Sequence, residues 1–448
     1  MPDADQQFLP VSRVLTEQVV DHRPVALERD GTQVRTATGL ILEVAGGSHA
    51  SCIVRDEGEI AQRAIARIGR HRFASSGRLY SNDAQVELAD LVLGATSDRS
   101  ARVFFTSGGT ESFETAVRLA HHVQEMRGCH TRSLVVGRQF SYHGMSLLAR
   151  ATASHPVHSR LPPGLIAKLP KLPEPRCDAC PLNKERQSCG LACADVLDEV
   201  VDELGTDKVA AVVLEPVAGT TGGALPPPVG YLERIEAICR KRGVLLILDE
   251  TVTAFWRTGV AFSGETEVQA DIVFGGKCLA AGFAPLGCVV VRGELCDELM
   301  HAKRDLPLRL TFAGNAVACA FGLAVQEYIR EKGLGARVLS NSTILRGLLE
   351  RACEVARIRA TVTGIGHLWA INVSFSPSTA QKFSNHLRKA AALRGIEALI
   401  GQRPSLNATP VHMLVCPPFD ANDEDLKLIT TSAANLMALC MDDLGLSS

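Results

Sequence analysis

Two hydrophobic patterns alternate along residues 101–292. Short apolar runs (ARVFFT at 101–106, SLVVG at 133–137, KVAAVVLEP at 208–216, VLLILD at 244–249, DIVFGG at 271–276 and GCVVVR at 287–292) are separated by longer stretches with helical periodicity. One such stretch places Phe113, Ala116, Val117 and Ala120 on one face, and another, YLERIEAICRKRG, stops at Gly243. Strands that are apolar at successive positions are covered on both faces, so this alternation predicts an α/β domain around a mostly parallel sheet. Ahead of it, ERDGTQVRTATGLILEV reads as a hairpin turning at Asp30-Gly31. Residues 57–70 form a helix with Ile60, Ala64, Ile65 and Ile68 on one face, and 83–94 a second, capped by Asp83 and stopped by Gly94. From residue 316 the pattern changes. Two long helical stretches precede HLWAINVSF and VHMLVCPP, two strands separated by a helix, and EDLKLITTSAANLMALC closes the chain as a helix. The expected division is an N-terminal segment (1–60) joining a small α+β C-terminal domain (316–448), and a large domain (61–315) with a Cys-rich insert at 172–195. The Pro-, His- and Cys-rich stretch 154–195 is the expected flexible region.

The strand ends carry the candidate chemistry. VLLILD ends on Asp249, and DIVFGG delivers Lys277 into a Gly-rich turn. In an open parallel sheet both face the crevice outside the carboxyl ends of the strands. Pyridoxal 5'-phosphate (PLP) needs such a pair, a lysine for its Schiff base and an acid for its pyridine nitrogen. On those two residues alone an ordinary strand end remains the better reading. SGGTES (107–112) puts two glycines before a helix, where free N–H groups and the helix dipole suit a phosphate. SYHGMS (141–146) offers an aromatic that could stack on a flat ring, and LEPVAG (214–219) ends another strand in Glu215. Each has a bland alternative, a tight turn or a packed tyrosine.

Taken in order, these stretches resemble the class III aminotransferases, PLP enzymes of fold type I. The family shows SGGSEANETA, YHG, EPV with a Gly-rich loop, DEVxTGFGRTG, PDI, a GK loop with PLG, and TFxGNP. This chain has SGGTESFETA, YHG, EPVAG, DETVTAFWRTG, ADIVFGGKCLAAGFAPLG and TFAGNA. The resemblance implies that Lys277 carries PLP and later moves the substrate proton, and that Asp249 keeps the pyridine nitrogen protonated. It implies that Gly109 and Thr110 hold the phosphate, that Tyr142 stacks on the ring with Thr251 on the other face, and that Glu215 lines the pocket. Thr311 is expected to reach the phosphate of a neighbouring subunit, which makes the active unit a homodimer. Some positions depart from the pattern. Ala254 and Trp256 replace glycines, so Trp256 should reshape the loop or the entrance. Phe113 stands for Asn, Val252 for Gln, and Thr363 for an arginine that can bind a carboxylate.

Composition adds limits. At 448 residues, 46% hydrophobic and net charge -2, the chain has no basic stripe for nucleic acid or for a membrane. Its N-terminus lacks the apolar core of a signal peptide, so a cytoplasmic protein is expected. Of its 14 cysteines most sit singly in apolar settings, but Cys177, Cys180, Cys189 and Cys193 are spaced C-x2-C-x8-C-x3-C. Thiolates at that spacing suit zinc or an iron–sulfur cluster, so a structural metal is expected there, zinc ahead of iron–sulfur. The resulting reading is a PLP-dependent aminotransferase passing an amino group from a small donor to a keto or aldehyde acceptor. The departures keep open another PLP chemistry on the same fold, namely epimerisation, elimination or carbon–carbon bond formation. A catalytically silent binding protein is the reading from another class, and the retained Asp249–Lys277 pair argues against it.

Overall fold

The structure is a computed structural model that describes residues 24–71, 80–154, 164–302, 305–403 and 408–446. The signal-peptide reading of the N-terminus and residues 155–163 of the expected flexible stretch lie outside these residues. Strands β1 (Ala26–Asp30), β2 (Gln33–Thr36) and β3 (Gly39–Glu43) form a small antiparallel sheet. Asp30 pairs with Gln33, so the tight turn is Gly31-Thr32, one residue later than expected, with Gly31 at φ +55°.

The large sheet is built from β4 (Arg102–Thr106), β5 (Leu134–Arg138), β6 (Lys171–Leu172), β7 (Val209–Leu214), β8 (Leu245–Asp249), β9 (Ile272–Gly275) and β10 (Gly287–Val291). Its order is β4-β10-β9-β8-β7-β5-β6, and β10 runs antiparallel to both of its neighbours. Strand periodicity sends alternate residues to opposite faces. Ala211, Val213, Ile247, Phe274 and Val289 pack on the helix Gly109–Met126, whereas Val212, Leu214, Leu248, Val273 and Val290 share a core with residues of the helices Ala192–Leu204 and Tyr231–Arg242. Both faces are therefore dry, which is why the strands read as unbroken apolar runs.

The helix Glu59–His71 buries Ile60 and Ala64 but leaves Ile65 63% exposed, because Ile65 lies about 100° around the axis from Ala64. The helix Asp83–Gly94 is capped by Asn82, not Asp83: the Asn82 side chain accepts from Gln85 N at 2.8 Å. In the C-terminal part, β11 (Thr361–Ile365), β12 (Leu368–Phe375), β14 (Ile400–Gln402) and β15 (Thr409–Val415) form a sheet ordered β11-β12-β15-β14. The helices Pro377–Leu393 and Asp423–Asp443 cover it over a separate core. The intervening β13 (Ile396–Glu397) leaves that sheet and pairs in parallel with β3.

Candidate active site

The structure brings five sequence motifs to one edge of the large sheet. Thr106, Arg138, Leu214, Asp249 and Gly275 end parallel strands, and the residues just past them face one crevice. Asp249 pairs in register with Phe274, which sets it beside the Gly275-Gly276-Lys277 turn. Lys277 takes φ +45°, a left-handed conformation that costs a side-chain-bearing residue about 1–2 kcal/mol. Its amine lies 3.2 Å from His49 Nδ1, and burial lowers its pKa.

Asp249 is fixed from two sides. Its Oδ1 accepts from Thr251 N at 2.9 Å, and its Oδ2 accepts from His143 Nδ1 at 2.7 Å. Phe113 stacks flat on the His143 ring, with centroids 5.7 Å apart and planes 7° apart. The Asn-to-Phe departure at 113 thus supports the imidazole that orients the acid. His143 stood inside the quoted YHG motif, yet only Tyr142 was singled out there. Tyr142 itself is partly buried beside it.

The helix Gly109–Met126 starts after Gly108 with no side-chain cap, leaving its first N–H groups for a ligand. A Cβ on Gly109 would stand 2.9 Å from Thr251 Cγ2, and one on Gly276 would stand 3.8 Å from Gly109 N. This uncapped terminus therefore adjoins the Lys277 turn. Thr110 Oγ1 accepts from Met145 N at 3.3 Å, and Gly144 is packed too tightly on Thr110 to carry a side chain. An open anion site, a lysine and a braced carboxylate around one crevice fit the phosphate, aldehyde and pyridine nitrogen of PLP.

Glu215 is buried against Arg138, Nη2 to Oε2 at 3.1 Å. Burial pushes its pKa up and Arg138 opposes the shift. Thr311 lies exposed beside Phe312, itself 61% exposed, and is not drawn into this chain's own crevice. Thr363 does not offer a free hydroxyl: it donates to Gly223 O at 2.7 Å and accepts from Asn372 Nδ2 at 2.9 Å. Nearby, Arg403 is buried, its Nη1 3.1 Å from Glu174 Oε1 and its Nη2 3.1 Å from Asn372 Oδ1. Sequence reasoning missed this guanidinium because it looked for one at Thr363. Trp256 keeps the left-handed backbone of a glycine position, φ +77°, and its indole lies across Gly335, which has no room for a Cβ. The expected change at the entrance is thus a packing contact against the helix Leu334–Val355.

Arg257, also missed, is fully buried. It donates to Pro417 O (2.9 Å) and His49 O (3.0 Å), and more weakly to Cys278 Sγ (3.5 Å). The metal expectation at the insert is not carried by the structure. Cys177, Cys180, Cys189 and Cys193 line one surface cavity of about 270 Å³. Among the described residues, however, no group of three or more His, Cys, Asp or Glu is placed to hold an ion.

The model of the class III aminotransferases matches residues 59–431. A probable aminotransferase of Mycobacterium tuberculosis is 30% identical over 91% of this chain and 88% of its own length. Among solved structures, an (S)-enantioselective omega-transaminase from Thermomicrobium roseum superposes with a TM-score of 0.81 at 27% identity, covering 95% of this chain and 93% of its own. A PLP-bound aminotransferase from Vibrio fluvialis gives 0.82 at 23% identity, covering 95% and 94%. A seven-stranded sheet with one antiparallel strand, carrying this crevice, defines a PLP-dependent transferase of fold type I. The chain belongs to the class III aminotransferases.

Proposed function

We propose that this aminotransferase works as a homodimer on small amines, with Lys277 as the lysine that carries PLP. The observation that carries this reading is the placement of Lys277, the braced Asp249 and the uncapped Gly109 helix end around one crevice. Bound there, PLP supplies the carbonyl that takes up an amino group and the ring that spreads the resulting carbanion charge. The protein supplies the rest. Asp249, held by Thr251 and His143, keeps a proton on the pyridine nitrogen. Gly109 and Thr110 would hold the PLP phosphate, Thr251 and Tyr142 would flank its ring, and Glu215 would line the pocket beside it. Lys277, its pKa lowered by burial, is the base that takes the proton from the substrate carbon and returns it. Thr311 serves the partner subunit's phosphate site, in keeping with its exposure here. Among the described residues no helix is long and apolar enough to cross a membrane. All 14 cysteines are free, in keeping with a reducing, cytoplasmic setting.

The test is chemical. Borohydride should fix one pyridoxyl group per chain, and peptide mapping should find it on Lys277. An amino donor without acceptor should convert the cofactor to its amine form and release one keto product per chain. A label on another lysine would overturn the assignment of Lys277. Product formation without the amine form would favour epimerisation or elimination instead.

A further inference from the structure

Residues 46–49 are wound the wrong way. Gly46, Gly47, Ser48 and His49 take φ of +59°, +51°, +60° and +68°. Glycine does this freely, but Ser48 and His49 do not, and such strain persists only where the surroundings over-determine it. Here they do. His49 N donates to Ala45 O at 2.9 Å, and Ser51 N to Gly46 O at 2.9 Å. Glu397 Oε2 accepts from Ala45 N at 3.2 Å, and Arg257 clamps the His49 carbonyl at 3.0 Å. The product of this left-handed turn is one contact. It drives an imidazole, 1% exposed, to within 3.2 Å of an amine 228 residues further along.

We infer that His49 is a positioning residue for Lys277, whose Nδ1 accepts a hydrogen from the lysine amine and aims it into the crevice. This rests on the reading of Lys277 given above. The tautomer follows from the contact. Lys277 only donates when charged, so Nδ1 must accept and the imidazole proton sits on Nε2. Nε2 is buried without a partner among the described residues. Burial, Lys277 and Arg257 all press the His49 pKa well down, so the ring stays neutral and remains an acceptor at working pH. The other titratable or charged groups facing the pair are Asp249, Cys278 and Cys416 around Lys277, and Glu397 under the backbone of residues 45–48. None of these groups replaces the acceptor at Nδ1. Asp249 acts on the lysine as a charge and is engaged by Thr251 and His143.

An acceptor bonded to the amine favours its charged form. Removing Nδ1 while keeping the ring buried should therefore make the amine easier to deprotonate. The experiment uses apo-protein mixed with PLP from pH 6 to 10, following the absorbance of the lysine-linked cofactor. Capture needs the neutral amine, so its rate rises through the lysine pKa. His49→Phe keeps the bulk and loses the acceptor; its midpoint should fall by about one unit, a tenfold change in amine ionisation. His49→Asn tolerates the left-handed backbone and keeps an oxygen near the place of Nδ1, so its midpoint should stay with the wild type. Should His49→Phe not fold, His49→Ala is measured with and without added imidazole, which should restore the midpoint. The inference is overturned if His49→Phe titrates like the wild type, if His49→Asn shifts as far as His49→Phe, or if imidazole restores nothing to His49→Ala. Mapping of the cofactor to another lysine would instead sink the reading of Lys277 itself.

Discussion

Arg257→Lys is a conservative change on paper and should not be one here. The guanidinium has no carboxylate partner among the described residues. It is held by hydrogen bonds to carbonyls of two separate segments, Pro417 O at 2.9 Å and His49 O at 3.0 Å, and lies 4.8 Å over the Phe419 ring. A hydrogen bond from a charged group contributes about 1.5–3 kcal/mol, and a carbonyl left buried without a donor costs about 1–3 kcal/mol. A fork reaches both carbonyls, whereas a point ammonium reaches about one. The expected loss is about 2–4 kcal/mol. The protein's two tryptophans suit the assay. Trp256 precedes Arg257 in the chain, and Trp369 bonds to Gly366 O at 2.7 Å, next to His367, whose N–H donates to Arg257 O at 2.9 Å. Urea unfolding followed by tryptophan emission, at fixed protein and PLP concentrations, should show the first transition moving down by about 1 M for a slope of about 2–3 kcal/mol per M. A midpoint within about 0.2 M of the wild type would refute the claim that this fork joins the two segments.

Two further substitutions probe the packing and the electrostatics. Gly335→Ala gains about 1 kcal/mol of helix propensity but must displace the indole of Trp256, so a net loss of about 1–2 kcal/mol and a red-shifted Trp256 emission are expected; a stabilised variant would show the contact to be loose. Glu397 is pushed up to about 7 by burial and then by Glu43, whereas the unfolded chain releases its proton near 4.5. Between those values the folded state holds a proton the unfolded state has lost, so stability falls as pH rises from about 4.5 to about 7. Glu397→Gln should flatten that fall by roughly 1–2 kcal/mol, allowing for partial exposure; parallel pH profiles would remove Glu397 from the account.

Local pattern exposed much of this design and hid a particular part of it. The strands that end in Asp249 and precede Lys277 were legible because both faces of the sheet are dry, so their residues are apolar without interruption. The small errors lay at element ends: the turn at Gly31-Thr32 and the cap at Asn82 were each one residue out. Ile65 was misplaced because a helical face narrower than the assumed one was buried. His49 and Arg403 were not legible at all, and Arg257, although inside the quoted DETVTAFWRTG, gave no sign of what it touches. Their partners lie far away in the chain, and nothing in the composition around them marks the contact. The four-cysteine spacing, which the structure does not support as a metal site, is a weak guide for the opposite reason. Spacing in sequence reports how near four thiols can come, not whether the backbone turns them toward one point.

The pairing of β3 with β13 bears on how the molecule is made. Ala45 bonds to Glu397 across 352 residues, and both strands of that pair are needed to hold the turn that carries His49. On a ribosome adding about 5–20 residues each second, the partner strand follows the first by roughly 20–70 seconds. The sheet bearing Asp249 and Lys277 is complete well before then. The strands bearing Asp249 and Lys277 are therefore synthesised before the strand that holds the His49 turn, so the segment made first waits for one of the last to fix it.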